Sequence, residues 1–470
     1  MPKLDASDIQ GFAMRGYSLP FARYLLLELA ERTISQPVEQ SAALDFVRQT
    51  VGHITNATRW DKDNKPTSTV NIAFTFKGLA RLDLPSPTLC SFPVEFQQGM
   101  KARKDILNDT GRNAPERWDE CWREDRVHAW IGVQAVTPEA LENRCAELQR
   151  IMDETGGARV VYAQSAAALR INGEFGPKEH FGYSDGFGNP DFEGAERKSV
   201  PGQGKLTADG QWVPLATGEF LLGYPDEAGQ LPIAPVPHLL ARNGTFMVYR
   251  KLHQNVATFR AYLDAEGKRY AGGKEKLAAK FVGRWRDGTP VELSPDSADP
   301  ALVKDPERNT KFTYGGDPDG VRCPLGAHIR RTNPRDAFGF DGKLVNRRRI
   351  ARRGFPYGDY VPEDQPVSDD DDRGVIFMVL NSSIFRQFEF VQQQWIEYGN
   401  DNHQGSDKDL LLGNHGDRSK VMIQGSTDPQ NPPHICMGLP NFVELRGGDY
   451  FFMPSLTALR MMAHGSVDPR

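Results

Sequence analysis

Apolar and polar positions follow the same order of strand-like and helix-like patterns in both halves of the chain. Residues 8–17 predict a short strand, and residues 21–30 predict a helix with an apolar face. Residues 244–249 and 256–263 repeat this strand and this amphipathic helix about 230 residues later. The pattern therefore predicts one kind of structural unit that the chain uses twice.

A second strand and helix follow in each half. Residues 70–82 carry this pair in the first half, and residues 374–395 carry it in the second. The first half continues with a strand at residues 129–134, a helix at 138–152 and a strand at 159–163. Strand–helix–strand order of this kind predicts α+β units of the ferredoxin-like type.

The boundary between the two units is predicted near residue 240, after the proline-rich residues 231–237. This gives an N-terminal domain over residues 1–240 and a C-terminal domain over residues 241–470. The alternative is a single doubly wound α/β sheet. We favour it less because the strand–helix pairs recur at a distance and not continuously.

Composition narrows the class of protein. A chain of 470 residues exceeds one ordinary core, and its net charge of −5 argues against a general nucleic-acid binder. Five cysteines without a C-x-x-C pair indicate neither a disulfide framework nor a zinc site, which suits a reducing compartment. The sequence shows no signal peptide and no run of roughly 18 apolar residues, so we expect a cytoplasmic protein without a membrane span.

One histidine lies among small apolar residues and is followed at once by arginines. The segment CPLGAHIRRTNPR occupies residues 323–335 and contains His328. An imidazole in such a setting can serve as the axial ligand of haem iron, and nearby guanidinium groups can bind the haem propionates. The alternative is a core histidine bonded to a backbone carbonyl.

Nine arginines lie between residues 322 and 353. Gly, Pro and aromatic residues interrupt them, which favours a folded pocket over a solvated or nucleic-acid-binding surface. Two further segments carry candidate chemistry. Residues 180–190 (HFGYSDGFGNP) present Asp185 on a glycine-rich loop, and residues 352–358 (RRGFPYG) begin with Arg352. Each of these taken alone also fits an ordinary turn.

Together the three segments resemble motifs of the dye-decolorizing peroxidases, a family of haem enzymes. The family's G-x-x-D-G motif corresponds to GYSDG at residues 182–186, and its A-H-I-R-K-T-N-P-R motif corresponds to AHIRRTNPR at residues 327–335. Residues 352–358 resemble its R-x-x-x-P-Y/F-G motif, and residues 446–455 (RGGDYFFMPS) resemble a late segment. The resemblance runs nearly end to end, and the length suggests one of the larger bacterial subgroups.

The resemblance implies two ferredoxin-like domains that form a dimeric α+β barrel-like unit around one haem b per chain. It implies that His328 is the proximal iron ligand and that Arg330 points at a propionate. Asp185 and Arg352 then lie on the distal face. There Asp185 moves a proton between the oxygens of hydrogen peroxide, and Arg352 stabilises negative charge as the O–O bond breaks. The implied reductants are dyes, phenols and other aromatic molecules, oxidised one electron at a time.

Other residues follow from the resemblance through weaker matches. The carboxylate that holds the second nitrogen of the axial histidine corresponds to Asp409, although the family's proline is missing there, and Asp407 is the alternative. Val375 and Phe377 match apolar residues over the distal face; the alternative is plain strand core.

Tyr357 and Trp395 match surface aromatics that relay electrons from substrates too bulky for the haem pocket. The alternative for both is packing for buried area. Two other functions stay open from the sequence. A haem carrier of the same fold needs no pair such as Asp185 and Arg352. A haem-free oligomeric binding domain needs a pocket filled by side chains. Neither nucleic acid nor membrane is an expected partner, and the oligomeric state is open.

Overall fold

A computed structural model describes residues 4–468 except 34, 36, 196–198, 426–429 and 431. Its main feature is one antiparallel sheet, in the order β6-β8-β5-β9-β2-β3-β1-β4, with β7 also paired to β8. The strands of this sheet are β1 (Phe21–Leu29), β2 (Ser68–Phe74), β3 (Ala129–Ala135), β4 (Ala158–Ala167), β5 (Thr245–Gln254), β6 (Ala351–Arg352), β7 (Phe355–Tyr357), β8 (Gly374–Asn381) and β9 (Val443–Met453).

The sheet contains the same strand order twice. In the first half the order across the sheet is β2-β3-β1-β4, and in the second it is β6-β8-β5-β9. If β7, which lies off this path, is left out, each half places its second strand first, followed by its third, its first and its fourth. This order repeats the ferredoxin-like α+β unit, as predicted. All pairings are antiparallel, which excludes the doubly wound alternative. The domain boundary near residue 240 stays a prediction.

The two halves join at one narrow seam. Strands β9 and β2 pair through a single register position, Phe452 opposite Phe74. At the far ends of the sheet β7 lies beside β4, so the sheet curves round towards a barrel. The largest apolar cluster fills its interior and includes side chains from both halves.

Residues 21–29 form a strand and not the helix predicted for residues 21–30. In β1, the central residues Tyr24, Leu25, Leu26 and Leu27 are all buried, because β3 and β4 flank the strand on its two edges. A short continuous apolar run fits a buried strand as well as a buried helix, so its period cannot separate the two. The prediction was wrong for this reason.

Residues 8–17 also differ from the predicted strand, since they contain the short helix Gly11–Met14. The side-chain amide of Gln10 makes hydrogen bonds to backbone groups that a neighbouring strand would otherwise make. Its Oε1 accepts the Ile72 N–H at 2.9 Å, and its Nε2 donates to the Ile72 carbonyl at 2.8 Å and to the Pro454 carbonyl at 2.9 Å. Gln10 therefore fills the seam between β2 and the end of β9.

Helices cover the outer surface. The longer ones are α1 (Ala42–Thr50), α2 (Pro138–Thr155), α3 (Val256–Gly267), α4 (Gly273–Val282) and α6 (Leu456–Ala463), and the short α5 (His328–Thr332) precedes α6 in the chain. The region predicted as a helix over 384–395 is helical with π-type bonding, in Phe385–Glu389 and Val391–Ile396.

Shorter elements complete the described fold. The segment Val94–Ala102 is helical on either side of a kink at Gly99. The short helices are Gly11–Met14, Val38–Gln40, Val51–His53, Lys62–Asn64, Phe76–Arg81, Ser86–Cys90, Lys104–Leu107, Gly111–Asn113, Pro115–Arg117, Glu120–Arg123, Thr217–Glu219, His238–Ala241, Pro300–Lys304, Pro306–Asn309, Phe340–Gly342, Lys343–Asn346 and Asn400–Asn402. Three two-stranded hairpins pair Arg170–Ile171 with Glu174–Phe175, Lys205–Leu206 with Trp212–Val213, and Lys420–Ile423 with His434–Met437. Within the described parts of the chain, no helix is long and apolar enough to cross a membrane.

Candidate active site

A deep cavity lies against the second half of the sheet. Strands β5, β8 and β9 supply part of its wall, and α5 and the loop at residues 179–188 supply much of the rest. None of the described lining residues belongs to β1–β4. The cavity thus lies on the outer face of the second half of the sheet, where a loop that follows the first half covers it, and not between the two halves.

The cavity wall follows from strand alternation. On β8, Val375 and Phe377 line the cavity, whereas Ile376 and Met378 are buried in the interior of the sheet. Successive side chains of a strand point to opposite faces, so one apolar run supplies both the barrel core and the cavity wall. The structure therefore places Val375 and Phe377 on the cavity wall, and their packing over a haem stays a prediction.

His328 forms another part of the wall and is held by a buried carboxylate. It is the first residue of α5, and its side chain is 23% exposed. Its Nδ1 lies 3.0 Å from Asp409 Oδ2, and the Asp409 side chain is fully buried. When Nδ1–H donates to this carboxylate, the imidazole is in the tautomer whose Nε2 carries a free lone pair. This is the tautomer that a metal ligand needs.

Asp409 is fixed as an acceptor. Its Oδ1 accepts the backbone N–H groups of Leu411 at 3.0 Å and Leu412 at 2.8 Å. Burial by itself would raise the pKa of Asp409, but His328 and then the Leu412 N–H outweigh it and hold the pKa below its ordinary value. The alternative, Asp407, pairs with Lys420 at 3.1 Å instead.

Asp185 faces the same cavity from the glycine-rich loop. The following residue, Gly186, has a φ of 94°, a conformation that favours glycine, and its N–H donates to Asp185 Oδ1 at 2.6 Å. The Asp185 side chain is 55% exposed. Desolvation raises the pKa of Asp185, but Arg352 and the Gly186 N–H lower it by more, so the carboxylate stays ionised.

Arg352 lies next to Asp185 because β6 brings it to the same end of the cavity. Its Nη1 donates to Asp185 Oδ1 at 3.1 Å, and its Nη2 donates to the Phe187 carbonyl at 2.7 Å. Its backbone N–H donates to Asn189 Oδ1 at 3.0 Å. Both ends of the residue therefore bind the loop that carries Asp185, and the two side chains form one unit.

Three other arginines line the cavity without a carboxylate partner among the described residues: Arg284, Arg335 and Arg349. Arg349 bonds only backbone carbonyls, and Arg284 bonds the Gly288 carbonyl and the Asn309 side chain. Burial, and then the neighbouring Arg335, lower the pKa of Arg284 and of Arg349 to about 9 each. By contrast, Arg250 on the same cavity is paired with Asp109.

These residues fit a haem. A buried cationic cluster without anionic partners is costly unless an anion joins it, and the two propionates of a haem are anions. A histidine with a free Nε2, an apolar wall and this cluster are the donor set that haem requires. His328, oriented by Asp409, would bind the iron. Arg284, Arg335 and Arg349 would bind the propionates.

The structure corrects the expectation for Arg330. Its guanidinium is buried away from the cavity, donating to the Cys323 carbonyl at 2.7 Å and lying 4.5 Å from the Tyr314 ring. Its Nη1 also lies 3.2 Å from Asp317 Oδ2. Residues two apart on a helix point to nearly opposite sides, so a helix that aims His328 at the cavity aims Arg330 away from it. A propionate is out of its reach.

Tyr357 and Trp395 are both buried to 2% exposure, not at the surface. Tyr357 lies on β7, where its ring faces the ammonium group of Lys251 at 5.1 Å. Trp395 donates from Nε1 to Asp401 at 3.2 Å and packs against Phe338 and Phe390. Neither side chain lines the cavity among the described residues.

Sequence reasoning missed the cluster of Arg284, Arg335 and Arg349. Arg335 ends the AHIRRTNPR segment itself, so its position after α5 was the available signal. It also missed His180, which is buried and whose Nε2–H donates to the Tyr357 carbonyl at 2.8 Å. Burial lowers the pKa of His180 to about 4, so the side chain is neutral. Its hydrogen bond attaches the loop that carries Asp185 to β7.

A doubled ferredoxin-like sheet, with a cavity that presents a carboxylate-bound histidine and an Asp–Arg pair, defines the class of haem peroxidases. Comparisons with known proteins agree. The family described as the DyP dimeric alpha+beta barrel domain matches residues 30–168. Peroxidase 2 of Mycetinis scorodonius is 30% identical, over 97% of this chain and 87% of that protein. This chain belongs to the dye-decolorizing peroxidase family.

Two further matches extend the comparison. The multifunctional dye peroxidase DyP2 of Amycolatopsis sp. is 31% identical, over 84% of this chain and 82% of that protein. The structure of an ancestral D-type dye-decolorizing peroxidase is 30% identical, with a TM-score of 0.81 and coverage of 98% and 99% of the two chains. These relatives include fungal and bacterial proteins, so a bacterial subgroup stays a prediction. The family relationship shows that the chain is a peroxidase of the haem-dependent type.

Proposed function

We propose that this haem peroxidase reduces hydrogen peroxide at the cavity between His328 and the pair of Asp185 and Arg352. The observation that supports this best is the 3.1 Å contact between Asp185 Oδ1 and Arg352 Nη1. It places an ionised carboxylate and a fixed positive charge together on one cavity, which peroxide activation requires. A haem carrier has no use for this pair.

The residues divide the work on peroxide. When bound, haem supplies the redox chemistry, taking two oxidising equivalents from peroxide and passing them on one electron at a time. Asp185 takes a proton from one oxygen of the peroxide and delivers it to the other, so that water leaves. Arg352 stabilises the negative charge on the departing oxygen, and as a guanidinium it stays protonated. Asp409 keeps His328 in one tautomer and increases its basicity.

We propose that the cofactor is one haem b per chain. The described residues form one cavity with this donor set, and the sequence contains no C-x-x-C-H segment for covalent attachment of haem. Extraction of the cofactor into acidic organic solvent should therefore leave none on the protein. Haem that stays with the polypeptide would contradict haem b.

Phenolic molecules are the reductants that the comparisons support best. A dye-decolorizing peroxidase that is 26% identical to this chain, with a TM-score of 0.79, has been solved in complex with 2,6-dimethoxyphenol. We therefore propose phenols of this kind, and dyes, as reducing substrates here. Because Tyr357 and Trp395 are buried, relay through them requires an exposed aromatic closer to the surface, and their role stays a prediction. A cytoplasmic location also stays a prediction, for cell fractionation to test.

The test uses purified haem-loaded protein with Asp185→Asn and Arg352→Leu. Both variants should keep haem, but the spectral change on mixing with peroxide should slow about a hundredfold or more, because a general acid–base group or a charge stabiliser is lost. Oxidation of 2,6-dimethoxyphenol should slow in parallel. Asp209→Asn, in an exposed turn, is the matched control and should behave as the wild type. Wild-type rates in both cavity variants would overturn the proposal.

A further inference from the structure

A second cluster of ligating side chains lies away from the haem cavity. Glu266, His434 and Cys436 each offer a ligand atom, and these atoms lie within 4.8 Å of one another. Glu266 is in the last turn of α3. His434 and Cys436 are two residues apart on the strand His434–Met437, so their side chains share one face of the hairpin. Two separate elements thus bring three donors to one point.

The cluster is enclosed and held in place. Cys436 is fully buried, Glu266 is 5% exposed, and the side chain of His434 is 17% exposed. His434 Nε2 lies 2.7 Å from Glu266 Oε1, while Arg269 holds the other carboxylate oxygen at 2.9 Å. The ring of Tyr270 lies 5.1 Å from the imidazole and limits its rotation. His434 is the most exposed of the three donors.

We propose that Glu266, His434 and Cys436 bind a zinc ion, with water as the fourth ligand on the solvent side of His434. A thiolate, an imidazole and a carboxylate are the three ligand types of protein zinc sites. Tetrahedral bonds of about 2.0–2.3 Å place ligand atoms about 3.5 Å apart, which small rotations of these side chains reach. Magnesium and calcium prefer sites made of oxygen alone, so this donor set disfavours them.

Binding is accompanied by loss of a proton from sulfur. Cys436 is fully buried, and its thiol carries a proton in the absence of a metal. Zinc replaces that proton, which leaves to solvent, and the thiolate charge is balanced by the cation. Arg269 stays on the outer oxygen of Glu266 and keeps the carboxylate oriented, as partners behind metal ligands commonly do.

The ion would join the hairpin of Lys420–Ile423 and His434–Met437 to α3. The opposite strand of this hairpin packs close to the haem ligand, since a Cβ placed on Gly326 would lie 3.1 Å from Val421. Gly326 is two residues before His328. Zinc therefore stabilises the segment behind His328 without contacting the haem cavity.

The test measures zinc in the haem-loaded full chain after incubation with zinc sulfate and removal of unbound metal. The wild type should retain one zinc per chain, and X-ray absorption at the zinc edge should show one sulfur at about 2.3 Å. Cys436→Ala and His434→Gln should each weaken zinc binding more than about a hundredfold, beyond the loss known for partners behind the ligands. Haem content and peroxidase rate should be unchanged in both.

Two matched variants serve as controls. Cys145→Ala and His464→Gln change a cysteine and a histidine outside the cluster and should retain zinc like the wild type. If Cys436→Ala fails to fold, His434→Gln decides, because that side chain is partly exposed. No retained zinc in the wild type, equal retention in wild type and His434→Gln, or a zinc shell without sulfur would each overturn the proposal.

Discussion

At the scale of single residues, helix geometry decides which groups of the AHIRRTNPR segment can reach the cofactor. His328 opens α5 and faces the cavity, whereas Arg330 bonds Cys323 and Asp317 on the far side. Arg335, beyond the end of α5, returns to the cavity. The motif thus supplies the proposed iron ligand and one proposed propionate partner, separated by a helical turn that faces the protein interior.

His328→Ala should abolish haem retention or weaken it greatly. The substitution removes the proposed proximal ligand and leaves Asp409 buried without its partner, which also costs stability. The haem absorption band of purified protein, relative to protein concentration, is the measurement. His464→Ala, at an exposed position, is the control. A fully loaded His328→Ala protein would remove the ligand assignment.

The pH dependence of the reaction with peroxide should report the state of Asp185. Its pKa in the folded protein is held below the ordinary 3.8, despite desolvation, chiefly by Arg352. A lowered pKa keeps the base ionised as the pH falls, so the rate should persist into mildly acidic solution and decline only below that pKa. We also expect dye turnover to be best at acidic pH.

Arg352→Leu removes the charge that lowers this pKa, so the acidic limb of the profile should move to higher pH. Asp209→Asn should leave the limb in place. Stopped-flow rates with peroxide across acidic and neutral pH measure both. A limb at the same pH in wild type and Arg352→Leu would mean that a different group titrates.

At the scale of elements, periodicity predicted some strands and helices correctly where one face differs from the other. The strand at β5 and the helix at α3 begin within a residue of their predicted starts. The helix prediction for residues 21–30 was wrong because the strand β1 is buried by neighbours on both sides. Its sequence therefore lacks the alternation of apolar and polar residues that would indicate a strand. Val375 and Phe377 on β8 were named from the family resemblance, and strand alternation explains why both side chains lie on one face of the strand.

The arginine cluster could not be predicted as a set. Arg284, Arg335 and Arg349 come from three separate segments, and only the folded chain brings them to one side of the cavity. The sequence has nine arginines between residues 322 and 353, and nothing in their pattern indicates which of them face the cavity. The choice depends on loop paths that long-range packing determines.

Arg349→Leu should weaken haem binding by about tenfold or more, because one charge-assisted hydrogen bond to a propionate contributes about 1.5–3 kcal/mol. Transfer of haem to a competing apoprotein measures the change. Arg348→Leu is the matched control, since Arg348 instead stacks on Phe390, 3.8 Å from its ring centre, outside the cavity lining. With haem dimethyl ester, whose propionates are uncharged, wild type and Arg349→Leu should bind alike. A difference that persists with the ester would contradict the propionate role.

At the scale of the whole molecule, the two halves of the sheet meet at the seam between β2 and β9, where backbone pairing alone supplies few hydrogen bonds. Strands β2 and β9 share one register position, and the Gln10 side chain supplies the hydrogen bonds beside it. Asp8 adds contacts from the same segment, accepting the Thr457 N–H at 2.7 Å and the Asn243 amide at 2.8 Å. The doubled unit was predictable from the repeat, but this closure was not, because it depends on side chains.

Gln10→Leu should destabilise the protein by about 2–4 kcal/mol, because it leaves the backbone groups of Ile72 buried and unpaired. Urea unfolding monitored by circular dichroism measures the change. Gln149→Leu, at an exposed position of α2, should change the stability by less than about 0.5 kcal/mol. Equal stability of the two variants would show that the seam does not need the amide.

The seam also determines the order of events during synthesis. Gln10 and Pro454 are 444 residues apart in the chain, yet they must meet to complete the sheet. Contacts of such long sequence separation form late, because the intervening chain must first be made and ordered. The first four strands can pair with one another on the ribosome, and Gln10 can already bind Ile72. The same edge at Phe74, however, has no partner until Phe452 has been made. During that interval the nascent chain presents an unpaired β-edge, which is where a chaperone would be most useful.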